Sequence, residues 1–331
     1  MITQNLYQSV LLSPCQEGAD ELRIVSGYAD ALIATRHLED MREQRLSANI
    51  SLLVGMCPLD GIAMRNHQGF QKMMTSEKFA GKFSCRYISD FPQVHSKVYI
   101  WLKNQQIYRV FVGSANYTQN AFSSRQREVL AEINDKHVCE YFDELEKQSI
   151  LCNDSGVEDT IRIYSDKNYL RNHSVDDVSA DETINLDTSG LENIEISLLS
   201  KRDSKYSKKG DVPSRGGINW GQRPGRNPNQ VYLQLPPNVY RSDFFPPNPQ
   251  HFTVVSDDAK VFICVRREKD EDGQTIHTPL NNAHFGEWLR NRIGLNYGEF
   301  ISKQALLDYG RTSITFYKID NENYYMDFSV G

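Results

Sequence analysis

The chain has 331 residues and a formal net charge of −6, with 39% hydrophobic and 24% charged residues. This composition is typical of a globular protein that is long enough for two domains, each with its own core. No apolar run approaches the roughly 18 residues of a membrane span, and the first residues have neither the basic nor the apolar region of a signal peptide. We therefore expect a cytoplasmic protein rather than a membrane or secreted one.

Six cysteines are scattered along the chain, at Cys15, Cys57, Cys85, Cys139, Cys152 and Cys264. Their spacing matches neither a zinc site nor a secreted disulfide framework. We therefore expect reduced and mostly buried thiols, no metal site and no cofactor.

The first half of the chain alternates strand-like and helix-like segments. Apolar runs bounded by turn residues predict strands, and apolar residues at helical spacing predict helices. The predicted strands are 21–28, 50–56, 83–88, 93–100, 108–112 and 128–134, and the predicted helices are 30–45, 60–78 and 138–151. This order, with a hairpin in the middle, predicts a mixed α/β sheet that is covered by helices on both faces.

The fourth predicted strand carries His95-Ser96-Lys97. Residues two apart in a strand point to the same face, so we expect His95 and Lys97 to lie side by side. The next strand ends in Gly113-Ser114-Ala115-Asn116, a turn of small residues that lets the backbone and an amide side chain approach an anion. An imidazole, an ammonium and an amide that converge on one point predict a site for phosphate chemistry.

This pair of motifs resembles the phospholipase D superfamily, whose signature is His-x-Lys followed by Gly-Ser-x-Asn. The resemblance implies a nuclease domain over 1–170 that needs no metal ion. It also implies that His95 is a nucleophile that forms a phosphohistidine, that Lys97 and Asn116 stabilise the phosphate oxygens, and that Ser114 lines the same loop. The alternative, a strand histidine beside an unrelated Gly-Ser turn, is disfavoured by the spacing of the two motifs.

Two features of the superfamily pattern leave choices open. The Asp that commonly follows the Lys by five residues is Leu102 here, which argues against the lipid-hydrolysing members more than against the nucleases. The family also uses an acidic residue beyond the Asn to orient the histidine. Glu128 and Glu132 are the two candidates, and we favour Glu128.

The chain contains one His-x-Lys motif with one Gly-Ser-x-Asn partner. Superfamily members with two copies build a single active site from both, and a second imidazole is needed to protonate the leaving oxygen. We therefore expect a homodimer, in which His95 of each subunit contributes to one composite site across a two-fold axis.

The charge of the chain changes sign near residue 200. Residues 153–200 are rich in Asp and Glu, and we interpret 171–200 as a connector between domains. Residues 201–226 then carry eight basic side chains against two acidic ones. A basic segment on an acidic chain indicates a surface for a polyanion, although a solvated linker has the same pattern.

Residues 216–229 combine planar hydrogen-bond donors, glycines and one aromatic residue. Arg, Gln and Asn bind base edges bidentately, and glycine lets the backbone approach phosphates. Trp220 has an equally good alternative role as a core residue that anchors the segment. The residues that we expect to contact DNA are Arg215, Asn219, Trp220, Gln222, Arg223, Arg226 and Asn227.

The last hundred residues contain several short strand-like runs and two helix-like runs, at 282–293 and 302–309. Many short strands with two helices predict a small β-barrel. Their order resembles the B3-like pseudobarrel. On that resemblance a B3-like DNA-recognition domain would span 201–331, with the basic segment as its N-terminal arm.

Together the two halves resemble the NgoFVII/NgoAVII-type restriction endonucleases, which join a phospholipase D-type nuclease domain to a C-terminal B3-like DNA-binding domain. The resemblance implies a type II restriction endonuclease that cleaves double-stranded DNA, a homodimer formed through the nuclease domain, and a cognate methyltransferase in the same system. Three alternatives stay open: a phospholipase or phosphatidyltransferase, a non-catalytic DNA-binding protein, and a non-specific or repair nuclease acting on DNA or RNA.

Overall fold

The computed structural model describes residues 1–79, 81–123, 126–164, 188–267 and 274–330. The chain divides into two compact units, Met1–Tyr169 and Leu170–Gly331. Each unit has its own sheet and its own buried core. The predicted connector lies outside the described residues as far as residue 187.

The first unit alternates strands and helices. Its strands are β1 (Glu21–Ser26), β2 (Asn49–Val54), β3 (Ile62–Ala63), β4 (Phe83–Ile88), β5 (Lys97–Lys103), β6 (Gln106–Gly113), β7 (Leu130–Ile133), β8 (Ser149–Leu151) and β9 (Ile163–Tyr164). Its helices are α1 (Ser13–Gln16), α2 (Ala31–Glu43), α3 (Cys57–Asp60), α4 (Met64–Thr75), α5 (Gln119–Phe122), α6 (Val138–Lys147) and α7 (Val157–Thr160), with a π-helix at Tyr7–Leu12 and a 3-10 turn at Glu77–Phe79.

Seven of these strands form one mixed sheet in the order β7-β6-β5-β1-β2-β4-β8. Both faces of the sheet are buried, which is why its central strands are continuous apolar runs. On one face Val25 and Ile100 belong to a core cluster with Phe142 of α6. Alternate residues of β5 point to the opposite face, where Trp101 Nε1 donates to the Val10 carbonyl at 2.7 Å. The predicted mixed sheet with helices on both faces is confirmed.

The ends of four neighbouring strands, β1, β5, β6 and β7, lie together at one edge of this sheet. β1 ends where β5 begins, because the two are antiparallel and Ser26 pairs with Lys97. β6 is antiparallel to both of its neighbours, so its end at Gly113 meets the start of β7 at Leu130. The segments before β5, after β6 and before β7 therefore all lie at this edge.

Several element boundaries differ from the sequence-based prediction by a few residues, and two of the differences have a clear cause in hydrogen bonding. β5 begins at Lys97 rather than at residue 93, because the backbone N–H of Val94 donates to the Gly55 carbonyl at 3.0 Å, across the end of β2. The helix that was predicted to reach residue 151 ends at Lys147, because the residues that follow form β8 and pair with β4.

The second unit is a seven-stranded sheet in the order β10-β15-β16-β12-β13-β14-β11, curled around an aromatic-rich core. The predicted small β-barrel is confirmed, and helices are present at both predicted places, with a third short helix before them. Its strands are β10 (Asn193–Ser197), β11 (Leu233–Gln234), β12 (His251–Ser256), β13 (Val261–Arg267), β14 (Thr275–His277), β15 (Ser313–Lys318) and β16 (Asn323–Asp327). Its helices are α8 (Pro237–Tyr240), α9 (Asn282–Arg292) and α10 (Lys303–Tyr309), with a 3-10 segment at Gly217–Gln222.

Several helix ends follow directly from local side-chain chemistry. Asp30 caps α2 by accepting the N–H of Ile33 at 2.8 Å, and Ser302 caps α10 by accepting the N–H of Ala305 at 3.0 Å. α10 ends at Gly310, whose φ of +101° lies in the left-handed region that favours glycine. These signals are local, so sequence places them well.

Candidate active site

His95 and Asn116 meet at the sheet edge beside Gly27, at the end of β1. A Cβ placed on Gly27 would lie 2.9 Å from Cδ2 of His95 and 3.4 Å from Oδ1 of Asn116. The two residues belong to separate motifs in the sequence. The antiparallel order of β1, β5 and β6 brings them to one point.

Lys97 lies beside them as the first residue of β5. Its Nζ donates to the backbone carbonyl of His95 at 2.6 Å, and the residue is only 7% exposed. Burial lowers the pKa of Lys97, and the charge of the nearby Glu128 carboxylate opposes that shift. A partly desolvated ammonium interacts more strongly with an oxyanion than one in bulk water does.

The side chain of Asn116 is fixed through its carbonyl oxygen. The backbone N–H of Tyr28 donates to Asn116 Oδ1 at 3.1 Å, and Ser26 Oγ lies 3.5 Å from the same atom. Ser26 is held in turn by the N–H of Tyr117, which donates to its Oγ at 2.8 Å. These contacts do not use the amide nitrogen of Asn116, whose two N–H groups can donate to a phosphate oxygen.

The two candidate acidic residues lie in different environments. Ser114 Oγ donates to Oε2 of Glu128, and Ser114 is tied to the start of β7 by the N–H of Val129, which donates to Ser114 Oγ at 3.1 Å. Glu132 instead accepts two hydrogen bonds from Arg109, each 2.8 Å long, and this guanidinium lowers the pKa of Glu132. Glu128 therefore contacts Ser114 of the second motif, and Glu132 belongs to a surface ion pair.

Leu102, which replaces the Asp of the superfamily pattern, lies at the other end of β5 from Lys97. It is buried in the same core cluster as Ile100 and Phe142. A carboxylate at this position would be buried among apolar side chains without contact with the site.

The end of β1 supplies residues that sequence analysis missed. Gly27 leaves room for the imidazole of His95, and the ring of Tyr28 packs against that imidazole with 5.9 Å between centroids and 80° between planes. The hydroxyl of Tyr28 donates to Asp60 Oδ2 at 2.6 Å. Ser26, Gly27 and Tyr28 form no known motif, and their only signal is their position at the end of a strand beside β5, which requires the sheet order.

Metal-ligand clusters and membrane-spanning helices are both absent from the ranges that the structure describes. In those ranges no three His, Cys, Asp or Glu side chains cluster so as to hold a metal ion. Nor does any helix there have both the length and the apolar character to cross a membrane. The six cysteines are free thiols, and most of them are buried.

The residues predicted to contact DNA lie in one segment of the second unit, in and around the 3-10 segment Gly217–Gln222. Arg223 Nε donates to the Arg215 backbone carbonyl at 2.7 Å, which brings these two basic residues together. Six of the seven residues are fully or partly exposed, namely Arg215, Trp220, Gln222, Arg223, Arg226 and Asn227.

Asn219 does not reach the surface. Its Nδ2 donates to the carbonyls of Ile301 at 2.8 Å and Pro213 at 3.2 Å, and its Oδ1 accepts the N–H of Ile301 at 3.0 Å. The amide therefore joins two distant parts of the domain, and a DNA contact by this side chain would require those bonds to break.

Trp220 is partly buried against other aromatic side chains, and its contact with DNA stays a prediction. The guanidinium of Arg226 lies 3.8 Å from the centroid of its ring, and its edges meet Tyr232 and His277 at centroid distances of 5.5 and 5.6 Å. Arg226 also donates to Gln230 Oε1 at 3.2 Å. Trp220 thus packs on the barrel and orients an exposed arginine.

The loop that joins α9 to α10 is bonded to the same segment, and sequence analysis missed it. Gln222 Nε2 donates to the Gly298 carbonyl at 2.9 Å, and the N–H of Gly298 donates to Asn229 Oδ1 at 2.8 Å. The hydroxyl of Tyr297 donates to Asn227 Oδ1 at 3.1 Å, and Tyr297 is 63% exposed. Segment and loop therefore form one continuous surface.

Two family models match the chain. The model for the NgoFVII restriction endonuclease N-terminal PLD domain matches residues 4–159, and the model for the NgoFVII C-terminal B3-like DNA-binding domain matches residues 186–320. Comparison with the curated proteins finds no match.

Solved structures that are similar to part of the chain include a phospholipase D family member, NucT and a polyphosphate kinase. The phospholipase D family member Nuc from Salmonella typhimurium is 17% identical, with a TM-score of 0.33 over 44% of this chain and 89% of that one. NucT from Helicobacter pylori is 16% identical, with a TM-score of 0.32 over 45% of this chain and 96% of that one. Polyphosphate kinase from Porphyromonas gingivalis is 13% identical, with a TM-score of 0.32 over 45% of this chain and 22% of that one.

Proposed function

The chain belongs to the NgoFVII restriction endonuclease family, and we propose that it is a type II restriction endonuclease that cleaves double-stranded DNA at specific sites without a metal ion. The observation that carries this proposal is the convergence of His95, Lys97 and Asn116 beside Gly27 at one edge of the sheet. These side chains supply a nucleophile and two oxyanion donors, which are the groups that phosphodiester cleavage needs.

In the first proposed step the imidazole of His95 attacks the scissile phosphorus. An N–P bond forms while the P–O bond to the leaving sugar oxygen breaks, and a second imidazole protonates that oxygen. Because the chain has one His-x-Lys motif, we assign this acid to His95 of the partner subunit, in a homodimer formed by the N-terminal domain.

In the second step water attacks the phosphorus of the phosphohistidine. The N–P bond breaks, and the proton of the water passes to the second imidazole, which restores the enzyme. Lys97 and Asn116 of both subunits hold the non-bridging oxygens, whose negative charge they stabilise in both transition states. The Ser114–Glu128 pair supports the turn that carries Asn116, and we assign Glu128 as the acidic partner of the histidine.

We propose that the second unit reads DNA through the surface formed by residues 215–227 and the loop between α9 and α10. Arg215, Arg223 and Arg226 supply positive charge for phosphates and forked donors for base edges. Tyr297 extends this surface with an exposed aromatic side chain that is fixed by its hydrogen bond to Asn227.

A nuclease that cuts at specific sites also cuts the DNA of its own cell unless those sites are modified. We therefore propose that the protein acts in the cytoplasm together with a cognate methyltransferase of the same sequence specificity. Protection of plasmid DNA isolated from cells that express this methyltransferase would support the pairing.

The test is to incubate the purified protein with plasmid DNA in excess EDTA and to resolve the products on a gel. Discrete fragments support metal-independent, site-specific cleavage. A smear supports the His95 chemistry but refutes site-specific reading, and uncut DNA that shifts on a native gel supports a binding protein.

His95→Ala should abolish cleavage and leave DNA binding intact. His137→Ala is the matched control, because this exposed histidine bonds to Glu140 on the surface of α6 and should be dispensable. Residual cutting by His95→Ala would overturn the assignment of the nucleophile.

A further inference from the structure

We propose that Tyr28 and Asp60 form a positioning pair for the nucleophile: the ring of Tyr28 fixes the imidazole of His95, and Asp60 fixes Tyr28. The inference rests on the proposed function, because it takes His95 as the group that attacks phosphorus. It adds two residues that belong to neither sequence motif.

The ring of Tyr28 meets the imidazole edge-on. The two ring centroids are 5.9 Å apart and the planes are inclined by 80°, which is a favourable arrangement for an aromatic pair. The preceding residue, Gly27, also approaches the imidazole closely, since a Cβ there would lie 2.9 Å from Cδ2 of His95. Two consecutive residues at the end of β1 thus limit how the imidazole can turn.

Tyr28 also holds the side chain of Asn116, the proposed oxyanion donor. Its backbone N–H donates to Oδ1 of Asn116 at 3.1 Å. One residue therefore contacts the proposed nucleophile through its side chain and the proposed oxyanion donor through its backbone. Any movement of Tyr28 changes the position of the imidazole relative to the amide.

Asp60 keeps this exposed side chain in place. Tyr28 is 42% exposed, and its hydroxyl donates to Asp60 Oδ2 at 2.6 Å. This hydrogen bond raises the pKa of Tyr28 to about 12, so the hydroxyl stays protonated throughout the neutral and mildly alkaline range. Asp60 is anchored in turn, because its backbone carbonyl accepts a hydrogen bond from Arg162 at 3.0 Å.

The contribution of such a pair should appear in the reaction rate rather than in stability. An exposed hydrogen bond adds little to the free energy of folding, because water replaces it when it breaks. Catalysis is more sensitive, since a displacement of about 1 Å in a reacting group costs about a hundredfold in rate.

The experiment measures plasmid cleavage under single-turnover conditions, with protein in excess, and DNA affinity by gel shift. We expect Tyr28→Ala to lower the single-turnover rate about tenfold to a hundredfold and to leave the affinity for DNA unchanged. Tyr28→Phe deletes the donor of this hydrogen bond and Asp60→Ala deletes its acceptor, so each variant removes the same hydrogen bond. We expect them to cause equal, smaller losses that do not multiply in the double variant.

Tyr108 and Glu17 provide a matched control. The hydroxyl of Tyr108 donates to Glu17 Oε2 at 2.8 Å, and Tyr108 is 38% exposed, but it lies near the start of β6, at the opposite end of that strand from Gly113. Tyr108→Ala and Glu17→Ala should leave the single-turnover rate within about twofold of the wild type.

His95→Ala in the same assay distinguishes a failure of the proposed function from a failure of the positioning inference. If His95→Ala still cleaves, the proposed function is wrong whatever the Tyr28 variants do. If His95→Ala is inactive and Tyr28→Ala cleaves at the wild-type rate, the positioning inference alone is overturned. Losses that multiply in the Tyr28→Phe/Asp60→Ala double variant, or a loss in Tyr108→Ala as large as that in Tyr28→Ala, overturn it as well.

Discussion

Alanine in place of Gly27 would put a methyl group between the imidazole of His95 and the amide of Asn116. Its carbon would lie 2.9 Å from Cδ2 of His95 and 3.4 Å from Oδ1 of Asn116. Carbon atoms repel one another below about 3.5 Å, so the imidazole must retreat by roughly half an ångström. The backbone of Gly27 itself tolerates alanine, because its φ lies outside the left-handed region.

This displacement sets the magnitude of the expected effect. A shift of about 1 Å in a reacting group costs about a hundredfold, so half of that shift should lower the single-turnover rate of plasmid cleavage about tenfold. A tenfold loss corresponds to about 1.4 kcal/mol in the free energy of activation. The free energy of unfolding should fall by only about 1 kcal/mol, because a side chain rather than the backbone takes up the overlap.

Two other glycines of the same unit, Gly55 and Gly156, provide control variants for both stability and reaction rate. At Gly55 a Cβ would lie 2.0 Å from the carbonyl oxygen of Val94, so Gly55→Ala must move the backbone just before His95 and should lower both stability and rate. At Gly156 the nearest atom is Asp154 Oδ1 at 3.6 Å, so Gly156→Ala should change neither. Thermal unfolding and single-turnover cleavage on all three variants give both quantities.

Two outcomes would refute the reasoning. If Gly27→Ala cleaves at the wild-type rate, the imidazole beside Gly27 is not the reacting group. If Gly27→Ala loses as much thermal stability as Gly55→Ala, the backbone rather than the imidazole absorbs the methyl group, and a slower reaction then says nothing about His95.

The remaining predictions concern electrostatics and buried polar groups. Glu128→Gln removes the charge that opposes the lowering of the Lys97 pKa, so the alkaline limb of the pH–rate profile should move to lower pH; the same shift in Glu132→Gln would contradict this assignment. Asn219→Ala deletes buried hydrogen bonds and should lower the free energy of unfolding by about 2 kcal/mol in urea titrations, whereas an unchanged midpoint would refute that role. Arg226→Ala should leave that midpoint unchanged but weaken DNA binding and flatten its salt dependence in gel shifts. Burial lowers the pKa of His37 to about 4, below its ordinary 6.5, so the unfolded chain takes up a proton first as pH falls. As the pH falls from 6.5 to about 4, the free energy of unfolding measured in urea titrations should therefore decrease. A His37→Gln variant should show a shallower decrease over the same pH range.

The two motifs of the candidate site could be predicted from sequence because each is local. His95 and Lys97 are two residues apart, and the Gly113–Asn116 turn needs only small residues and an amide. The contribution of Tyr28 could not be predicted in this way. It depends on β1 lying beside β5 in the sheet, and that order is decided by pairing between distant segments.

The fold shows the same division between local and distant interactions. The mixed sheet and the small barrel follow from apolar patterns and turn residues, which the sequence displays directly. The start of β5 could not be predicted from sequence, because it depends on the hydrogen bond that the N–H of Val94 donates to the distant carbonyl of Gly55. Asn219 has a side chain that often contacts DNA bases, yet its amide hydrogen-bonds to both the N–H and the carbonyl of Ile301, 82 residues further along the chain.

Chemistry and DNA reading are assigned to different units, so their variants should respond differently to protein concentration. A variant that weakens DNA binding, such as Arg226→Ala, lowers the population of the complex, and excess protein restores that population. A variant that misplaces the imidazole, such as Gly27→Ala, lowers the rate within the complex, which no concentration of protein restores. A rate loss in Arg226→Ala that persists at saturation would therefore mean that contacts in the second unit act on the chemical step as well as on binding.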